Sequence, residues 1–154
     1  MNPDYTNEDL LAFDMLTGGV AKIEALVNNG CKTSSAMFDY FFTDDSFFID
    51  EGRNVLIEEF GNEYGNYFSI LSLIASSKTN RATIESTLNM HAGGHLDRLE
   101  NDFDIIRKKR PFGAKEGSKS VKYKIDNCFF NFWFRFIYKC RSAIEIKNFF
   151  RHYS

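Results

Sequence analysis

Residue spacing predicts a mainly α fold with one short β-hairpin, on three observations. With only 2 Pro and 10 Gly in 154 residues, the chain lacks the punctuation of an all-β fold with many tight turns. Three short apolar-faced segments separated by polar turns occupy residues 67–101, and their spacings of three and four describe helices. After them, Val121-Lys122-Tyr123-Lys124-Ile125 alternates apolar and basic side chains with the period of two of a half-buried strand. The length suits one compact domain or two small subdomains. A composition of 44% hydrophobic and 26% charged residues excludes disordered and fibrous classes.

Thr6-Asn7-Glu8-Asp9 opens the first helix: Thr6 caps, and the acids suit the positive end of the helix dipole. Leu10, Leu11, Phe13 and Met15 follow, until Thr17-Gly18-Gly19 interrupts. A second helix with Val20, Ile23, Leu26 and Val27 at helical spacing ends at Asn28-Asn29-Gly30. Residues 34–60 predict further helix, with Met37, Phe38, Phe41 and Phe42 on one face and a break near Asp44-Asp45-Ser46. Together, residues 1–60 form a small acidic helical unit.

The next three helices are expected over 67–75, 81–88 and 95–101, with turns at 76–80 and 89–94. Short helices joined in this way are the helix-turn-helix pattern. A strand-like run over 103–110, a Gly/Lys-rich loop over 113–120 and the strand at 121–125 complete a winged helix-turn-helix over residues 65–126, with the loop as its wing. Residues 129–138 (FFNFWFRFIY) hold seven aromatics in ten positions, with Asn131 and Arg135 on one polar stripe. A helix apolar nearly all round is built to be covered. Residues 127–154 are therefore expected to lead toward a further domain, or to make homo-oligomers through the aromatic helix.

Charge divides the chain. Residues 1–77 net −10 and residues 78–154 net +8, giving the overall −2. A basic half is a candidate for nucleic acid or an acidic partner; the alternative is a set of solvated faces. Cys31, Cys128 and Cys140 are odd in number and scattered, which argues against a disulfide framework or structural zinc and fits a reduced, cytoplasmic setting. No apolar run reaches the roughly 18 residues of a membrane span, and the polar start Met1-Asn2-Pro3-Asp4 predicts no secretory leader.

The wording GGHLDRLE (93–100), IIRKKRPF (105–112) and VKYKIDNCFFNFWFRFIYKCRSAIE (121–145) resembles a prokaryotic group of AAA+ superfamily ATPases. In that group a P-loop core is followed by a helical lid, a winged helix and a restriction-endonuclease-like domain of the DUF234 type. The most specific stretch runs from Lys122 to Ile137. Leu16-Thr17-Gly18-Gly19-Val20 is similar to the lid turn of the group, although Ala21 stands where a proline is usual. The resemblance implies a lid plus winged-helix slice. The chain has no G-x-x-x-x-G-K-[ST] phosphate cradle: Gly30-Cys31-Lys32-Thr33 lacks the glycine before lysine, and the 113–120 run displaces its second glycine. Neither an ATPase centre nor an E-x-K nuclease signature is expected, nor any bound cofactor.

The function this implies is a non-catalytic regulatory or DNA-binding module of an ATP-binding protein. The alternative is a protein–protein module coupling a P-loop ATPase core to an effector domain. Lys108, Lys109, Arg110, Lys115, Lys119, Lys122 and Lys124 are the candidates for duplex phosphates; lysines on a hairpin also serve simply to block edge aggregation. Arg98 and Asn101 on the third helix are the candidate base readers, opposed by Asp97, Glu100 and Asp102 nearby. His91 and His95 have the i, i+4 spacing of metal ligands, but Gly93-Gly94 between them favours a turn over a metal site.

Overall fold

A computed structural model of the protein describes residues 4–19, 21, 24, 25, 27, 33–41, 48–110, 113 and 121–140. The order of elements is α1 (Asn7–Thr17), α2 (Ser34–Phe41), α3 (Phe48–Phe60), a 3-10 turn (Gly61–Glu63), α4 (Tyr64–Ala75), α5 (Arg81–Leu88), α6 (Gly93–Asn101), β1 (Ile106–Lys109), β2 (Lys122–Ile125), α7 (Cys128–Phe132) and a π-helical continuation (Trp133–Tyr138). The protein is mainly helical with a single two-stranded antiparallel sheet among the described residues. Most of the expected second helix at 20–27, the break at 44–46, the loop at 114–120 and the element from Ser142 lie outside the described residues.

Contacts divide the chain into two compact units, residues 1–52 with 128–154 and residues 53–127. The division differs from the one the sequence suggests. The aromatic C-terminal segment belongs with the N-terminal helices, and the boundary falls at Gly52/Arg53, inside α3.

In the first unit, Thr6 caps α1 in a reciprocal box. Its hydroxyl accepts from the Asp9 N–H at 3.2 Å, and the Asp9 carboxylate accepts from the Thr6 N–H at 3.0 Å. Gly18 ends the helix at φ +57°, a left-handed turn that glycine adopts without strain, and donates to the Asp14 carbonyl at 2.9 Å. Phe13 and Leu16 are buried from α1, and α1 packs on both α2 and α7. Phe129, Phe130, Trp133, Phe134 and Ile137 are all buried. These positions follow the i, i+1, i+4, i+5, i+8 pattern of a one-sided helix, so the segment has an inward and an outward face although aromatics occupy both. Trp133 stacks on Tyr138 at 5.6 Å and meets Phe134 edge-on at 5.0 Å. A methyl group added to Gly52 would collide with the Trp133 ring.

In the second unit, α4 supplies Tyr67, Ile70, Leu71 and Ile74 to a core completed by Ile84 of α5, Leu96 and Leu99 of α6, and Ile106, Tyr123 and Ile125 of the hairpin. Asn80 caps α5 by accepting from the Thr83 N–H at 2.8 Å. Asn89 ends α5 in the left-handed conformation at φ +51°. Helix α6 starts at Gly93, two residues earlier than expected, so both glycines lie in its first turn. Gly93 sits beneath Arg81, whose guanidinium would be 2.6 Å from an added Cβ.

The first strand is shorter than the expected 103–110. Phe103 closes α6 by packing against Phe60 at 4.5 Å, Asp104 takes φ +51°, and the Ile105 N–H donates to the Leu99 carbonyl at 2.9 Å. Ladder pairing begins only at Ile106, in the register Ile106↔Ile125, Arg107↔Lys124, Lys108↔Tyr123 and Lys109↔Lys122. The Tyr123 N–H also donates to the Thr79 carbonyl at 2.7 Å, tying β2 to the turn between α4 and α5.

Two glycine substitutions check this packing. Gly52→Ala is expected to lower stability by about 1–3 kcal/mol, because the core must move around an overpacked indole. Gly65→Ala, whose Cβ would meet nothing within 4 Å, should stabilise α4 by roughly 0.5–1 kcal/mol through helix propensity. Denaturant unfolding of the two variants beside the parent chain reads both effects.

Candidate nucleic-acid interface

The hairpin sorts its cations by face. Residues opposite each other in the register share a face, so Ile106, Ile125, Lys108 and Tyr123 point toward the helices, while Arg107, Lys124, Lys109 and Lys122 point away. On the inner face, Lys108 Nζ is held by Glu100 Oε2 at 2.7 Å and Asp97 Oδ1 at 3.1 Å, and its N–H donates to Glu100 Oε1 at 2.9 Å. The hydrogen bond to Glu100 raises the Lys108 pKa above its usual value, against partial desolvation that lowers it. Lys108 is thus engaged within its own unit.

On the outer face, Arg107 pairs with Asp126 at 2.5 Å and more distantly with Asp104 at 3.7 Å. Lys124 also pairs with Asp126, whose carboxyl is held below its ordinary range chiefly by that hydrogen bond. Lys109 and Lys122 stand directly opposite each other, exposed, with no ion pair among the described residues. Like charges facing across a ladder repel, and an anion between or above them relieves the repulsion. Arg110 follows immediately and is exposed. Lys115 and Lys119 belong to the loop outside the described residues.

On α6, Arg98 is committed elsewhere. Its guanidinium pairs with Glu63 at 3.0 Å and Asp102 at 3.8 Å, and lies 5.7 Å from the ring centres of both Tyr67 and Phe103. Asn101 is exposed at a polar cleft of about 350 Å³ that Glu100, Asp104, Arg107 and Lys108 also line. The structure therefore brings Asn101 near Lys108 and leaves Arg98 on the side of the aromatic cluster, so the two do not form one reading surface. His91 is exposed, whereas His95 lies edge-on to Tyr67 at 5.0 Å. Among the described residues no group of three or more His, Cys, Asp or Glu side chains could hold a metal ion.

The turn between α5 and α6 is fixed by Glu85, a residue that the sequence patterns did not single out. Its Oε1 accepts from Arg81 Nε at 2.9 Å and from the Ala92 N–H at 2.9 Å. Both bonds favour the carboxylate, the Arg81 one more strongly, and hold its pKa below the ordinary value. The i, i+4 spacing from Arg81 was the available signal. The inward direction of Lys108 was also readable, because Ile106 and Lys108 share one phase of a period-two strand.

No known protein family, curated protein or solved structure matches the chain in comparison.

The lowered Glu85 pKa sets a pH dependence. Its contribution is fully present above the ordinary value of 4.5 and is lost as pH falls through the lower folded value. At neutral pH Glu85→Gln is expected to lower the thermal midpoint. The gap between variant and parent should close progressively below pH 4.5, as thermal melts across an acid series will show.

Proposed function

We propose that residues 65–126 act as a winged helix-turn-helix that binds duplex DNA through its hairpin, as a non-catalytic module of an AAA+-type ATP-binding protein. The observation that carries this reading is the opposed pair Lys109 and Lys122, exposed and without counter-charge among the described residues, at the end of the hairpin that leads into the Lys115/Lys119 loop. The order of three short helices followed by an antiparallel hairpin supports the winged-helix assignment. The AAA+ part of the proposal rests on the sequence resemblance alone.

Contacts of this kind reach phosphates and carry no sequence information. Base readout by α6 is disfavoured by the exposed Asp97 and Asp102 and by the engagement of Arg98 with Glu63. The module therefore reads duplex charge and shape in preference to sequence. The alternative reading uses the same two lysines: as a protein–protein module, the hairpin would meet an acidic partner, such as a P-loop core or an effector domain that the module would couple.

Titration of a random-sequence duplex separates the two. Affinity is expected to fall steeply between about 50 and 200 mM salt. The double substitution Lys109→Ala with Lys122→Ala should weaken binding by roughly tenfold or more at low salt and flatten the logarithmic salt slope by about 2. Lys108→Ala should leave that slope unchanged, because its charge is already spent on Asp97 and Glu100. Absence of binding at about 50 mM salt would remove the DNA reading.

A further inference from the structure

Within the first unit, α1 and the C-terminal helical segment flank an apolar groove of about 330 Å³, lined from one side by Leu11, Met15 and Leu16 and from the other by Phe132 and Phe136. Five large apolar side chains are exposed among the described residues, and three of them meet here: Leu11 at 62%, Met15 at 55% and Phe136 at 53%. Phe132 and Phe136 lie against each other at 5.4 Å, forming one wall. Glu8 lines the groove from the α1 side, and on the other side Arg135 follows the lining residue Asn131 by four positions on the same polar stripe. Both Glu8 and Arg135 are exposed. Neither has an ion-pair partner among the described residues. Asp9, by contrast, is taken by the α1 cap.

We infer that this groove is the interface for a second copy of the same chain. An isologous interface must be complementary to itself, and this surface is. A two-fold axis running along the groove sets α1 of each copy over the aromatic segment of the other. Glu8 of each copy then lies on the side of Arg135 of the other, and the exposed Leu11, Met15 and Phe136 are covered on both sides. An axis running across the groove would set α1 on α1 and acid on acid, so the charge pattern selects the first arrangement. Exposed apolar side chains gathered in one place are the mark of such a contact, with Phe136 its aromatic anchor. The dimer does not depend on the hairpin or on DNA.

Sedimentation velocity of the full chain, from micromolar to several hundred micromolar, tests it. A reversible monomer–dimer equilibrium is expected. Phe136→Glu and, separately, Leu11→Glu should each raise the dissociation constant at least about tenfold, with the helical circular-dichroism signal retained because both side chains are exposed. Arg135→Glu should weaken the dimer, and combining it with Glu8→Lys should restore much of the loss, a rescue that a merely structural role would not produce. A chain that remains monomeric throughout, or a dimer that none of these substitutions weakens, overturns the proposal and leaves the groove to another protein or a small apolar ligand.

Discussion

The register of one short β-ladder governs the chemistry of the second unit. Pairing Ile106 with Ile125 puts both under the helices, and everything else on the hairpin follows from period two. A slip of β1 by one residue would turn Arg107 and Lys109 into the core and expose Ile106. The register is held from outside the ladder as well. The Asp126 and Asn127 N–H groups donate to the Ile105 carbonyl at 2.9 and 3.2 Å, and Tyr123 is tied to Thr79. Lys108 is the one cation that the register sends inward, and Asp97 and Glu100, one helical turn apart on α6, receive it. Removing either acid would leave a half-buried ammonium poorly compensated, which costs more than an exposed pair contributes.

The helices above the hairpin owe their placement to small polar devices as much as to apolar burial. Asn80 starts α5 and Asn89 ends it, and Glu85 then spans from Arg81 to the first turn of α6. Since α6 lacks a side-chain cap at Ala92, the carboxylate of Glu85 supplies the acceptor that a capping residue would otherwise give. A side chain at Gly93 would meet only the far end of the exposed Arg81, which can swing aside. Tyr67 shows the opposite situation. Its ring is wholly buried between Phe60 and His95, and its hydroxyl has no hydrogen-bond partner among the described residues. Burial raises its pKa, an effect opposed by the nearby Arg98.

Local features were legible in the sequence, and long-range pairings were not. Thr6 announces a helix cap because a hydroxyl stands just ahead of an acidic first turn. The alternation of residues 121–125 likewise announces a strand without any partner in view. The late start of β1 was hidden, because Phe103 has the composition of a strand residue and is diverted by Phe60, forty-three positions earlier. Arg98 reads as a base contact until Glu63 is placed beside it. The aromatic segment was the hardest to resolve. With rings at positions 132 and 136 as well as at 129, 130, 133 and 134, hydropathy alone cannot separate the face that packs from the face that does not. The partner α1 decides this, together with the missing side chain at Gly52 where the indole sits.

These pairings change what the charge division of the sequence means. The +8 of residues 78–154 is not a uniform basic surface. Arg81, Arg98, Arg107, Lys108 and Lys124 each meet a carboxylate within their own unit, so they add little to the field that a distant phosphate would feel. Apart from Lys78 in the turn after α4, what is left uncompensated among the described residues gathers at two places: Lys109 with Lys122 on the hairpin, and Arg135 with Lys139 on the C-terminal segment. The first has a like charge opposite it and calls for an external anion. The second lies alongside an acidic helix and an apolar groove, and so calls for a surface carrying the same pattern in reverse. A sum over residues cannot distinguish these demands, because it counts a lysine held by two acids and a lysine facing another lysine alike.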